Sequence, residues 1–93
     1  MKRLRKNFLK MTFSINWHPK TQDFLRKSPK HIAIRISKKV RSIKDKPFHF
    51  LEHYEGENVY KLRIGDYRAL IDVDFTEKVL FVLHLEHRKK VYK

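Results

Sequence analysis

The run VYKLRI at 59–64 alternates between apolar and basic side chains, which predicts a β-strand with one buried face. Lys61 and Arg63 share the other face. The next two residues, Gly-Asp at 65–66, predict a two-residue hairpin loop, and glycine in first place favours type II′. That loop places Arg63 directly opposite Arg68, where like charges destabilise a strand pair. We therefore expect an anionic ligand, rather than stability, to account for this pair.

Two helices are predicted between a first strand at 12–17 and this hairpin. Pro19 suits the first turn of a helix that runs to about Lys27. Ser-Pro at 28–29 supplies the N-cap and the first helical residue of a second helix. Apolar residues recur in that helix at three- and four-residue spacing, so they form one stripe. We expect Pro47 to end it.

The C-terminal half predicts strands at 67–74 and 79–87 joined by a turn at 75–78, and 48–58 is predicted to be a connecting loop. The last strand, VLFVLHLEH, is almost continuously apolar and is predicted to be central and buried on both faces. The expected fold is therefore α+β, with two N-terminal helices packed on a small, mostly antiparallel β-sheet. The order of elements is β-α-α-β-β-β.

Composition limits the classes of function. The 93 residues suffice for a single domain at 12–93, preceded by a basic, weakly ordered arm at 1–11. A formal net charge of +13 predicts a polyanionic partner, most often nucleic acid. The chain has no cysteine, which excludes disulfides, thiolate catalysis and zinc sites of the cysteine type. It has no apolar run long enough for a membrane span, so we expect a cytoplasmic protein without a membrane partner.

Strand direction brings the end of the chain back to the hairpin. The last two strands run antiparallel, so the exit of the last strand lies near Arg68. We therefore expect one anion-binding site built from Lys61, Arg63, Arg68, Arg88 and Tyr92. Further candidate RNA-binding residues are Lys38, Lys39, Arg41, His87, Lys89 and Lys90, although the helical cations among them also fit an ordinary solvated face. The histidines have no carboxylates at metal-ligand spacing, so no metal site is expected.

The hairpin and the C-terminus together resemble a known family. The segment YKLRIGDYRALIDVD, followed by an apolar strand and HRKKVY, is similar to the RelE toxins of the RelE/ParE toxin–antitoxin superfamily, most of all to archaeal members. The resemblance implies a ribosome-dependent mRNA interferase that needs no metal or cofactor. Such toxins cut the message in the ribosomal A site by attack of a ribose 2′-hydroxyl on the adjacent phosphate. The resemblance also implies a RelB-like antitoxin, with operator DNA contacted only through the antitoxin complex.

The resemblance also implies roles for matching positions. Lys61 lies where relatives have a catalytic lysine, and Arg63 replaces a second lysine, keeping the charge but losing a group able to deprotonate. Arg68 and Arg88 match arginines that hold the scissile phosphate. Tyr92 matches a tyrosine proposed as a general base or as a platform for the base.

The sequence leaves two alternative functions and the identity of the general base open. A ParE-like toxin that inhibits DNA gyrase and cuts no RNA would share the fold, although the full set of cations favours RelE. A catalytically inactive RNA-binding or regulatory protein is the third possibility. The general base remains open among Lys61, Tyr92 and His87, with His87 as second choice.

Overall fold

In the computed structural model, which describes residues 12–56 and 58–88, two helices pack against a five-stranded sheet. The elements are β1 (Ser14–Trp17), α1 (Pro19–Lys27), α2 (Lys30–Ser42), a 3-10 helix (Pro47–His49), β2 (Glu52–Glu55), β3 (Val59–Ile64), β4 (Tyr67–Asp74) and β5 (Val79–His87). The strand order is β1-β5-β4-β3-β2. Strand β1 is parallel to β5, and the other neighbours are antiparallel. The predicted α+β fold with a mostly antiparallel sheet is confirmed.

The core lies between α2 and the sheet. Ile36 and Val40 of α2 are fully buried, and so is Ile43, which follows the helix. They join the buried strand residues Leu62, Ile64, Ala69, Ile71, Val73, Leu80, Val82 and Leu85. Burial of one large aliphatic side chain contributes about 1.5–3 kcal/mol. The period-3.6 stripe and the period-2 strands therefore specify one common core.

The helix boundaries differ slightly from the prediction. Helix α1 has the predicted bounds, with His18 Nδ1 accepting a hydrogen bond from the backbone N–H of Lys20 at 3.0 Å. Pro29 is the N-cap of α2 rather than its first residue, and α2 ends at Ser42. The prediction that Pro47 ends the helix is wrong, because Pro47 instead begins the 3-10 helix, a position where a missing N–H is harmless.

The predicted loop at 48–58 is also wrong in part, because it contains the 3-10 turn and strand β2. Strand β2 pairs with β3, and Glu52 and His53 lie opposite Lys61 and Tyr60. It is an edge strand with polar side chains and no apolar alternation, so the sequence pattern that identifies buried strands is missing. The consequence for function is that Glu52 is brought beside Lys61.

Strand β5 is an interior strand, as predicted, but it is not buried on both faces. Leu80, Val82 and Leu85 point into the core, whereas His84 is exposed and the remaining residues are partly exposed. The helices cover only one face of the sheet. The apolar residues of β5 that point to the other face are therefore partly exposed.

A β-bulge interrupts the pairing of β4 with β5. Ile71 pairs with Val82 and Leu70 pairs with His84, so Leu83 is an extra residue without a counterpart. Beyond the bulge, every β5 residue is shifted by one position relative to β4. This shift decides which β5 side chain lies beside the basic residues of the hairpin.

The hairpin has the predicted register and turn. Arg63 lies opposite Arg68, and Ile64 lies opposite Tyr67. Gly65 has a φ of +60°, whereas φ of Asp66 is not positive, which is the pattern of a type II′ turn.

Candidate functional site

The basic residues of the hairpin line a cleft of about 80 Å³. Its lining residues are Phe50, Glu52, Lys61, Arg63, Arg68 and Arg88. The strand cations alternate with buried core residues, so their side chains point away from the core. The structure thus brings together all the predicted catalytic residues that it describes. Their chemical roles remain predictions.

Arg68 is held by Glu86, its partner across β4 and β5. The Arg68 Nε–H donates to Glu86 Oε2 at 2.7 Å, and Nη2 donates to the same oxygen. His84 Nε2 lies 3.0 Å from the other oxygen, Glu86 Oε1. Partial burial by itself would raise the pKa of Glu86, but the hydrogen bonds from Arg68 and His84 hold this pKa below its ordinary value.

This contact changes the interpretation of the Arg63–Arg68 pair. The sequence suggested that only an anionic ligand offsets the repulsion between the two arginines. In the structure, Glu86 already neutralises part of their charge. Glu86 was not among the predicted site residues. The pattern HLEH gives no sign of the bulge that places Glu86 opposite Arg68, so sequence periodicity could not have found it.

A second carboxylate balances Lys61. Glu52 Oε1 lies 3.6 Å from Lys61 Nζ, and the two residues are opposite each other in the β2–β3 ladder. The Glu52 side chain is 68% exposed, against 31% for Lys61, so this is an ion pair at the rim of the cleft. Glu52 was not among the predicted site residues, because its segment was predicted to be a connecting loop.

Arg88 reaches the cleft because the end of β5 is fixed to the hairpin loop. The backbone N–H of Arg88 donates to the carbonyl oxygen of Asp66 at 2.6 Å. Strand directions alone predicted this return of the chain. The hydrogen bond explains how a residue at the end of a strand is positioned beside Arg68.

A second groove, of about 460 Å³, adjoins the cleft and shares Arg63 with it. Helix α2 contributes Arg35, Lys38, Lys39 and Ser42 to this groove. The predicted RNA-binding residues Lys38 and Lys39 therefore lie next to the cleft. Arg41 is exposed elsewhere on α2, outside the lining of either cavity.

Arg35 is a groove residue that the predicted set did not include. Its guanidinium covers Gly65, where an added Cβ would lie 2.8 Å from Arg35 Cζ. Glycine at this position thus serves both the positive φ and the close approach of Arg35. The turn pattern indicated the first requirement, but tertiary packing alone shows the second.

His87 does not join the cations. It pairs with Tyr67 in the ladder, and the two rings meet edge to face with centroids 4.7 Å apart. Both residues line a separate cleft of about 730 Å³ beside α1. His87 therefore lies on the helix-facing side of the sheet, apart from the cationic cleft, and its role in RNA binding remains a prediction.

Several predicted residues lie outside the described part of the chain. Tyr92, Lys89 and Lys90 belong to this group, as does the arm at 1–11. Across 12–56 and 58–88, no three His, Asp or Glu side chains lie close enough together to hold a metal ion. In the same ranges, no helix has both the length and the apolar character needed to cross a membrane.

A family model decides the relationship of this chain to known proteins. Residues 15–92 match the model described as the ParE toxin of the type II toxin–antitoxin system, parDE. The chain belongs to this toxin family. The predicted membership of the RelE/ParE superfamily is thereby confirmed. A search of the curated proteins finds no match.

Solved structures show the same fold for this toxin. It is similar to the RelBE2 toxin–antitoxin complex from Mycobacterium tuberculosis, at 18% identity and a TM-score of 0.76, covering 84% of this chain and 93% of that one. The toxin is also similar to the archaeal RelE–RelB complex from Pyrococcus horikoshii OT3, at 27% identity and a TM-score of 0.74, and the match covers 84% of this chain and 97% of that one. A mutant of E. coli RelE in the free state is similar at 21% identity and a TM-score of 0.68, and the match covers 88% of this chain and 92% of that one.

Proposed function

We propose that this toxin is a ribosome-dependent endoribonuclease that cuts mRNA in the ribosomal A site. The observation that carries the proposal is the convergence of Lys61, Arg63, Arg68 and Arg88 on one cleft. Four cations against two carboxylates leave an excess of positive charge suited to a phosphodiester. The similarity to RelE structures supports the same reading.

The arginines would stabilise the charge that develops during cleavage. When the ribose 2′-oxygen attacks the adjacent phosphorus, negative charge builds on the non-bridging phosphate oxygens. Guanidinium groups held in place can donate paired hydrogen bonds to those oxygens. Arg68 uses its Nε–H and one Nη2–H for Glu86, which leaves three N–H donors for phosphate. Arg88 and Arg63 complete the set.

Two proton transfers accompany this displacement. The 2′-oxygen–phosphorus bond forms, the bond from phosphorus to the 5′-oxygen breaks, and the products are a cyclic phosphate and a 5′-hydroxyl. Glu52 can accept the 2′-hydroxyl proton, and the neighbouring Lys61 ammonium can protonate the departing 5′-oxygen. Tyr92 remains an alternative proton acceptor. His87 is set aside because it lines the other cleft.

A RelB-like antitoxin is the proposed partner of the toxin. The similar structures from M. tuberculosis and P. horikoshii are complexes of RelE with RelB. In this proposal the toxin acts on ribosomes in the cytoplasm without metal or cofactor, and operator DNA is contacted only through the antitoxin complex. Co-expression of an adjacent small reading frame should relieve growth inhibition, and absence of relief would argue against an antitoxin there.

The decisive experiment adds the purified toxin to translating ribosomes and maps the 3′ ends of the message. We expect cuts within the A-site codon. Arg68→Ala and Arg88→Ala should each lower the single-turnover rate by about 10²–10³-fold, the usual cost of removing one donor to a developing oxyanion. Arg26→Ala is the control, because Arg26 is an exposed cation of α1. Absence of A-site cuts, or cuts that persist in both cleft variants, would overturn the proposal.

The description of the matching family model favours a second candidate function. Because that model is named for ParE, inhibition of DNA gyrase without RNA cleavage is the alternative. A supercoiling assay with purified gyrase separates the two functions. Inhibition together with an uncut message would favour the alternative, whereas binding to ribosomes with neither effect would indicate an inactive regulatory protein.

A further inference from the structure

Two exposed aromatic side chains lie at the cationic cleft. Phe50 lines the cleft itself and is 43% exposed. Tyr54 is 41% exposed, and its ring centroid lies 5.8 Å from Arg68 Cζ. Single exposed apolar residues are common on protein surfaces. Two rings beside the same group of arginines form a local surface that is both aromatic and cationic.

Phe50 does not serve the core. The adjacent Leu51 is buried and belongs to the core cluster, so it fixes the segment to the sheet while Phe50 points outward. The ammonium of Lys39 lies 4.5 Å from the centre of the Phe50 ring. This cation–π contact holds the ring in place. Lys39 also lines the adjoining groove, so the Phe50 ring lies between that groove and the cations of the cleft.

Proteins that bind single-stranded nucleic acid commonly combine cationic and aromatic side chains in this way. A positively charged groove follows the phosphates, while aromatic rings stack on the unpaired bases. In a nucleotide the base lies a short, fixed distance from the phosphate, because one ribose joins the two. A cleft that fixes a phosphate therefore places a base within reach of a ring on its rim.

We propose that Phe50 is a stacking platform for a nucleobase of the message strand, with Tyr54 as a flanking contact. The inference rests on the proposed function, because the strand that stacks is the one whose phosphate occupies the cleft. Phe50 binds the base and orients the ribose, so that the 2′-oxygen is aligned with the phosphorus. It acts on position and not on proton transfer.

Single-turnover cleavage on programmed ribosomes tests this inference. Phe50→Ala removes the ring, Phe50→Leu keeps apolar bulk without a π face, and Phe50→Trp keeps a stacking surface. Phe48→Ala is the matched control, because Phe48 is 47% exposed but stacks on Phe75 at 5.5 Å, away from the cleft lining. Each variant is assayed on a normal message and on messages with one abasic nucleotide in or beside the A-site codon. Thermal unfolding establishes that each variant is folded.

We expect Phe50→Ala and Phe50→Leu to lower cleavage efficiency at least about fivefold, from the usual contribution of base–aromatic stacking. Phe50→Trp and Phe48→Ala should stay within about twofold of wild type on the same scale. At one abasic position the difference between wild type and Phe50→Ala should vanish. If Phe50→Leu cleaves like wild type, or if the Phe50→Ala defect persists at every abasic position, the inference is overturned.

The failure of the proposed function gives a different result. If the wild-type toxin does not cleave the message, the proposed function fails and the stacking inference fails with it. If wild type cleaves in an Arg68-dependent manner while all the Phe50 variants match it, the function stands and the stacking inference alone is overturned.

Discussion

Arg68 donates hydrogen bonds from Nε, at 2.7 Å, and from Nη2 to a single oxygen of Glu86. Both side chains are mostly buried, with 21% and 24% of their surfaces exposed, so the pair is shielded from water better than a typical surface ion pair. Glu86 thereby fixes the plane of the guanidinium. A phosphate entering the cleft would meet an arginine that is already oriented.

The Glu86 contact predicts a dependence of stability on acid. Because the folded-state pKa of Glu86 is lower than its ordinary value of 4.5, its stabilising contribution is present above 4.5 and is lost as pH falls through the folded pKa. Glu86→Gln should lower the free energy of unfolding by about 1–2 kcal/mol at pH 7. Urea unfolding at several pH values should show this difference shrinking below about pH 4.5. Glu77→Gln, in an exposed turn, controls for the loss of one negative charge. A difference that stays constant down to pH 2 would contradict the account.

Glu52 and Lys61 predict a separation of catalysis from binding. Glu52→Gln removes the proposed proton acceptor but keeps the size of the side chain, and it makes the cleft more positive. We expect the single-turnover rate to fall by about 10²–10⁴-fold, while affinity for the ribosome stays equal or rises. Because the Lys61–Glu52 pair is at the rim, the free energy of unfolding should change by less than about 1 kcal/mol. An unchanged rate would assign the proton transfer to another group, such as Tyr92.

Two isoleucines of α2 offer a direct test of the core. Ile36 is fully buried against the sheet, whereas Ile34 is 50% exposed on the same helix. Ile36→Ala should cost about 2–5 kcal/mol, because it removes apolar contacts and leaves a cavity. Ile34→Ala should change the free energy of unfolding by less than about 0.5 kcal/mol. Urea titration of both variants measures the difference, and equal losses would show that the stripe is misplaced.

Two glycines in turns separate backbone strain from packing. Gly56 and Gly65 have φ values of +61° and +60°, but a Cβ on Gly56 meets nothing within 4 Å while one on Gly65 collides with the Arg35 guanidinium. Alanine at Gly56 should cost about 1–2 kcal/mol from the positive φ, and alanine at Gly65 should cost more, because the first central position of a type II′ turn strongly favours glycine. Since the end of a flexible side chain can move, the collision at Gly65 should displace Arg35 and add little to this cost. Urea titration measures the loss, and a Gly65→Ala loss that falls sharply when Arg35→Ala is also present would show that Arg35 cannot move.

The sequence predicted most of the fold because its strongest signals are periodic. The apolar stripe of α2 and the alternation of β3 follow directly from helix and strand geometry, and Gly65 specified the turn. The edge strand β2 was missed because a half-exposed ladder needs no apolar alternation. Burial on both faces of β5 was wrongly expected, since apolar composition does not show which faces are covered.

By itself, the sequence determined that a basic hairpin would form and that Arg63 would face Arg68, because turn length and register are local properties. Only the tertiary structure decided what surrounds those cations. A bulge at Leu83 sets Glu86 beside Arg68, an edge strand brings Glu52 to Lys61, and Phe50 comes to rest at the rim. Both ion pairs join residues on different strands of the sheet. They depend on the bulge between β4 and β5 and on the pairing of the edge strand β2, neither of which has a signal in the local apolar pattern.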